Sequence, residues 1–188
     1  MSILPITLFG DKILRKKVAK VTEINGNTVK IISDMFETMR NANGIGLAAN
    51  QIGVNKQIFV IDISAVEGYE SYKPIALINP KITAKSDEKS IIEEGCLSIP
   101  ELRFEVARPK MINISFFDAN MKEQTIEADE LLARVMLHEY DHLQGVLFTD
   151  YLDEEMKKRS KKHLNKIKKR KLEIDYPVSD NTDYMLIK

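Results

Sequence analysis

Cysteine is scarce in this chain of 188 residues: Cys96 stands alone, so no internal disulfide can form. A single thiol suits a reducing compartment. Long apolar runs are missing too, and nothing approaches the ~20 residues that a helix needs to cross a bilayer. The opening Met1–Lys12 lacks a basic start, and Pro5, Gly10 and Asp11 interrupt its apolar residues, so it does not read as a signal peptide. Net charge is formally zero, but the balance is uneven. Met156–Lys171 holds ten Lys/Arg and no acid, leaving 18 basic against 28 acidic side chains elsewhere. Internal repeats are absent, as is any low-complexity linker before residue 172. The expectation is a cytosolic protein with an acidic body and one strongly basic late segment. Neither a membrane nor DNA is expected as a partner.

What is present fits one globular domain spanning residues 1–188, since the chain is long enough to bury a real core. Charged residues make up 30% and hydrophobic ones 44%, an ordinary soluble composition. Asn25-Gly26-Asn27 is a clear break. Thr28 is placed to cap a helix running to about Ala42, with Val29, Ile32, Met35, Phe36 and Met39 on one apolar face. Gly44–Val54 is dominated by small residues, which lets backbone pass close to another group.

Gln57–Ile63 reads as a strand, as do Ile75–Asn79, Lys81–Ala84, Phe104–Ala107 and Met111–Phe117. In the last, Ile112, Ile114 and Phe116 alternate with polar residues, as in a half-buried antiparallel strand. Asp118–Asn120 makes a hairpin turn and Gln124–Glu127 pairs back. Ala128–Gly145 reads as an amphipathic helix with Asp129 as N-cap and Gly145 at its end. A basic amphipathic C-terminal helix is expected over about 152–171, with Leu152, Met156, Leu164 and Ile167 on its apolar side. Ile174–Lys188 reads as a loose tail. Strands in the middle and helices at the flanks and end give an α+β order rather than alternating βαβ.

The chemistry centres on His138-Glu139-Tyr140-Asp141-His142. Histidines four residues apart on a helix point about 40° apart, so both imidazoles can hold one divalent metal. Leu131, Val135, His138 and His142 share one side of the helix. Glu139 stands one helical step aside, where a carboxylate can move a proton near the metal. A tetrahedral site that keeps one position open needs a third protein ligand. Downstream, the extended pattern of metallopeptidases fails at Phe148, His163 lies in the basic segment, and Glu154 and Glu155 follow closely. Upstream stands Cys96, whose thiolate suits zinc or ferrous iron. A lone cysteine can equally be a small buried hydrophobe. The polar and turn residues of Glu93–Pro100 are unlike a core strand. Gln51, in the small-residue loop, carries an amide that can donate to a developing oxyanion.

Together, Gly44-Ile-Gly-Leu-Ala-Ala-Asn-Gln51, Glu94-Gly-Cys-Leu-Ser98 and His138-Glu-Tyr-Asp-His142 resemble the three signature motifs of the peptide deformylase family, in order and spacing. Phe9–Arg15 and Gly145–Asp150 extend the likeness to about residues 3–152. The resemblance implies small antiparallel β-sheets packed around a central metal-binding helix, with a C-terminal helix. It implies a catalytic domain that removes the formyl group from N-formylmethionine on nascent chains. Cys96, His138 and His142 would be the metal ligands, Glu139 the general acid/base, and Gln51 with the backbone N–H of Leu97 the oxyanion hole. Metal-bound hydroxide would attack the formyl carbon. The metal would be ferrous iron in cells, with zinc, nickel or cobalt as substitutes.

Ile45, Gly46, Ile92, Gly95, Arg103, Leu131 and Val135 would line the substrate pocket, and Arg108 is expected to pair with Asp141. The family commonly has glutamine where this chain has Leu137. Its C-terminal helix can dock on the ribosome, and a merely solvated basic face is the alternative. A metallopeptidase and a catalytically silent peptide- or ribosome-binding homologue are the rival readings.

Overall fold

The computed structural model describes residues 1–180. Helix α1 spans Gly26–Asn41, strand β1 Gly46–Ala48 and strand β2 Ile58–Ile61. Strands β3 (Ile75–Lys85), β4 (Lys89–Cys96), β5 (Ile99–Pro109), β6 (Met111–Phe117) and β7 (Glu123–Asp129) follow. Helix α2 spans Glu130–Gln144 and helix α3 Glu154–Lys168. Five strands form one antiparallel sheet in the order β1-β2-β3-β6-β7, and β4 with β5 forms a separate hairpin. The fold is α+β. No helix among the described residues is long and apolar enough to cross a membrane.

Strand β2 explains the layering. Its alternate residues Phe59 and Ile61 pack into the cluster that holds Leu132, Ala133, Val135 and Met136 of α2. Ile58 and Val60 pack into a second cluster with Ile31, Ile32, Met35 and Met39 of α1. The strand is buried throughout, because each face of the sheet carries a helix there. Strand β6 offers only Ile112, Ile114 and Phe116 to the α2 side, matching its alternating sequence. A third cluster joins Leu8, Ile99, Val106, Leu147, Phe148 and Ile167, and so seats α3 against the hairpin.

Several local expectations shift. Asn25, not Thr28, caps α1, accepting from the Thr28 N–H at 3.1 Å. The buried face of α1 includes Ile31 while Val29 is half exposed, because Asp34 and Thr38 also turn inward. They accept backbone N–H groups from Ser2 and Leu4, so the chain's own N-terminal segment covers that side. The two expected strands Ile75–Asn79 and Lys81–Ala84 run on through Pro80 as one strand, β3, with a bulge between Ile78 and Lys81. There Asn79 takes a positive φ and pairs with both backbone groups of Val21. Asp129 begins α2 without a side-chain cap bond, whereas Gly145 ends it at φ 76. A β-carbon at Gly145 would lie 2.8 Å from the Arg15 backbone. Leu137 is buried in the apolar cluster between α2 and the sheet, so no polar group is needed there.

The tail is not loose where it is described. Residues 174–180 return to the N-terminal segment through a parallel bridge between Ile6 and Val178. The remainder of the expected loose tail, residues 181–188, lies outside the described residues.

Candidate metal centre

Helix α2 buries His138 and His142 on the side that faces the hairpin. One ligating atom each from Cys96, His138 and His142 lies within 4.8 Å of the others. Cys96 Sγ stands 3.2 Å from His142 Nε2. Cys96 reaches this point from the end of β4. It therefore ends a strand, and only the following Leu97-Ser98 forms a turn. The donor set, one thiolate and two imidazoles, suits a divalent ion such as zinc or ferrous iron.

Electrostatics around these side chains fit a cation. Burial works to raise the Glu94 pKa, but hydrogen bonds from His138 and Arg108 outweigh it and hold the carboxyl well below the usual carboxylate range. Glu94 stays ionised and accepts from His138 Nδ1 at 2.9 Å. That leaves Nε2 of His138 for the shared point, the arrangement in which a carboxylate orients a metal-binding imidazole. Burial and then the positive charge of His138 and Arg108 hold the His142 pKa well below its ordinary value. His142 is thus a neutral imidazole, the form that ligates metals. On His138 burial also lowers the pKa, but Cys96 and Glu94 overcome it. The same negative surroundings favour any cation at that point.

Glu94 belongs to a buried ionic cluster that docks the hairpin on α2. Arg108 donates to Glu94 at 2.6 and 2.9 Å and to Asp141 at 2.5 Å, so the expected Arg108–Asp141 pair is present. Arg134 donates to Glu94 at 2.7 Å and to the Val106 carbonyl at 2.6 Å. Two arginines against two carboxylates leave this buried group near neutral, which limits the desolvation cost of ion pairs away from water.

Glu139 and Gln51 flank the same point. Burial pushes the Glu139 pKa up to about 7. Its Oε2 is buried with no hydrogen-bond partner among the described residues. A carboxyl so placed can exchange a proton near neutral pH. Gln51 is held by its Oε1, which accepts from the Ala48 N–H at 2.8 Å. Its Nε2 is thereby aimed at Cys96 Sγ, 3.6 Å away, and donates to Ser98 Oγ at 3.2 Å.

A pocket of about 460 Å³ opens beside these groups. Ile45, Gly46, Ile92, Gly95, Arg103, Leu131 and Val135 all line it, together with Gln51, Cys96, Leu97, His138 and Glu139. Arg103 lies at the exposed rim, 3.7 Å from Glu93.

Residues 3–158 match the family model described as polypeptide deformylase. The chain belongs to the peptide deformylase family. It is 42% identical to the peptide deformylase of Chlorobium phaeobacteroides over 96% of this chain and 97% of that protein. With the peptide deformylase of Wolbachia pipientis it shares 45% identity over 90% of this chain and 98% of that one. The crystal structure of the Ehrlichia chaffeensis peptide deformylase in complex with actinonin superposes with a TM-score of 0.83, at 39% identity, over 92% of this chain and all of that one. As a member of this family the chain is an enzyme, a hydrolase that removes formyl groups.

Sequence reasoning passed over three residues of the site. Glu94 was legible only as one of two adjacent acids, and strand alternation alone does not say which of Glu93 and Glu94 faces inward. Arg134 carried a usable signal, since it lies four residues before His138 on the same helix face. Tyr176 lines the pocket from the tail, where no local pattern marks it.

Proposed function

We propose that the chain removes the formyl group from N-formylmethionine at the start of newly made polypeptides, releasing formate and a free amine. The observation that carries this reading is the convergence of Cys96, His138 and His142 within 4.8 Å beside an apolar-walled pocket. These three would hold one divalent metal, ferrous iron in the cell, replaceable by zinc, nickel or cobalt. When bound, that ion supplies Lewis acidity and lowers the pKa of water at the site.

The chain's own residues do the rest. Glu139 takes the proton from water as its oxygen adds to the formyl carbon. Gln51 Nε2 and the Leu97 N–H donate to the carbonyl oxygen as negative charge grows there, an effect typically worth ~10²–10³ in rate per donor. Glu139 then returns the proton to the nitrogen as the carbon–nitrogen bond breaks. Ile45, Ile92, Leu131 and Val135 offer the apolar surface that a methionine side chain requires, with Arg103 near the peptide at the rim.

The test uses anaerobically purified protein of known metal content. It should release formate from a formylmethionyl peptide and leave the same peptide with a free amine intact. Cleavage of a peptide bond without formate release would overturn the reading in favour of a metallopeptidase.

A bacterial cytoplasm is the compartment this activity implies. The outer face of α3 exposes Lys157, Lys158, Arg159, Lys161, Lys162 and Lys166. We assign that face to ribosomal RNA phosphates near nascent chains. Co-sedimentation with ribosomes that weakens with salt supports this; no binding at low salt makes it a solvated face.

A further inference from the structure

The segment after α3 has no part in that chemistry, yet it returns to the pocket. Two anchors fix its path. Ile6 N–H donates to the Pro177 carbonyl at 2.8 Å, and Ser179 N–H to the Ile6 carbonyl at 2.9 Å. The buried Asp11 carboxylate accepts from Arg170 Nη2 at 2.5 Å, Ser179 Oγ at 2.6 Å and the Leu8 N–H at 2.9 Å. Ile174 and Val178 pack against the third apolar cluster. Between them Tyr176 reaches the pocket wall, and its hydroxyl donates to the Leu97 carbonyl at 2.6 Å. Burial first, and the charges of Cys96 and Asp175 second, raise the phenol pKa, so it is a donor at neutral pH.

The contact falls where the hairpin does not hold itself. Pairing jumps from Gly95–Arg103 to Cys96–Ile99, so three residues of β5 bulge out and the Leu97-Ser98 turn stands outside the regular ladder. Outside contacts must therefore fix it. Phe9 N–H donates to the Ser98 carbonyl at 2.8 Å, and Tyr176 supplies the matching hold on Leu97. The Leu97 carbonyl is coplanar with the Ser98 N–H, and only the φ and ψ of Leu97 separate that peptide plane from the one carrying the Leu97 N–H, so holding the carbonyl narrows the directions the N–H can take.

We propose that Tyr176 is a positioning residue: the returning C-terminal segment holds the Leu97 turn so that the Leu97 N–H keeps its aim beside Cys96. This rests on the reading of that N–H as a donor to the substrate oxygen.

Tyr176→Phe in the full-length, metal-loaded enzyme removes only the hydroxyl. A lost hydrogen bond of ordinary strength predicts a roughly three- to tenfold fall in kcat with KM within about twofold. Hydrogen exchange at the Phe9 amide, whose N–H donates to the Ser98 carbonyl of this turn, should quicken by a similar factor, while amides within α2 stay unchanged. Ser179→Ala, which loosens the anchor from a distance, should move both readouts the same way and by less. It also serves as the deciding variant should Tyr176→Phe fail to fold. Unchanged exchange, or a rise in KM alone, would overturn the proposal and leave Tyr176 a pocket wall. A wild-type enzyme that releases no formate defeats the functional reading instead, and the exchange data still decide the positioning.

Discussion

Gly46 of β1 lies so close to Glu139 that a β-carbon there would stand 2.5 Å from Oε1 and 2.9 Å from the carboxyl carbon. The same atom would lie 2.9 Å from Cγ1 of Val135. The proposed general acid/base is thus walled in by bare backbone, which keeps it dry and raises its pKa to about 7.

Gly46→Ala should therefore displace the carboxylate without touching the proposed metal ligands. The expected result is a loss of kcat of at least about tenfold, since small misplacements of a reacting group cost up to ~10². Metal content, measured by elemental analysis, should stay at the wild-type level.

Glu139→Gln keeps the shape and removes the proton carrier. Its kcat should fall by ~10²–10⁴, with metal still bound. Turnover close to wild type would show that another group moves the proton.

Glu94→Gln removes the charge that orients His138. Metal affinity, read by competition with a chelator, should weaken about 10–100-fold. The pH dependence follows from the depressed Glu94 pKa. Because the folded carboxyl titrates below its unfolded value of 4.5, the unfolded state binds more protons in acid. The stability from its ion pairs is complete above that pH and is lost as pH falls through it toward the folded value. In the metal-free protein, where chelator affinity does not intervene, this acid-side slope should flatten in Glu94→Gln. The variant should also be less stable at neutral pH by about 3–5 kcal/mol, because two arginines lose a buried partner.

Metal removal should lower the melting temperature. An ion present at about 1,000 times its Kd stabilises the folded chain by ~4 kcal/mol. For a chain of this size that corresponds to roughly 8–16 °C. Cys96→Ala should abolish most of the difference between chelated and loaded samples. An equal shift in that variant would place the ion elsewhere.

How much of this was legible in the sequence depended on distance along the chain. Met111–Phe117 was read at its true ends because period-two alternation is a local property of a strand with one wet face. His138 and His142 were placed on one side by the pitch of the helix alone. The family motifs brought Cys96 and Gln51 to them, although no local rule could. The α1 stripe was misjudged by one position, because the N-terminal segment, remote in sequence, satisfies Asp34 and Thr38 and turns them inward.

The sequence by itself determined the α+β order, the imidazole pair and the carboxylate between them, since each follows from side-chain periodicity within one element. Tertiary structure alone decided which of Glu93 and Glu94 would grip His138, and that Tyr176 of the returning segment would line the pocket. Both depend on how distant segments dock, because a carboxylate or phenol taken out of water must find its hydrogen-bond partners on whatever segments pack against it.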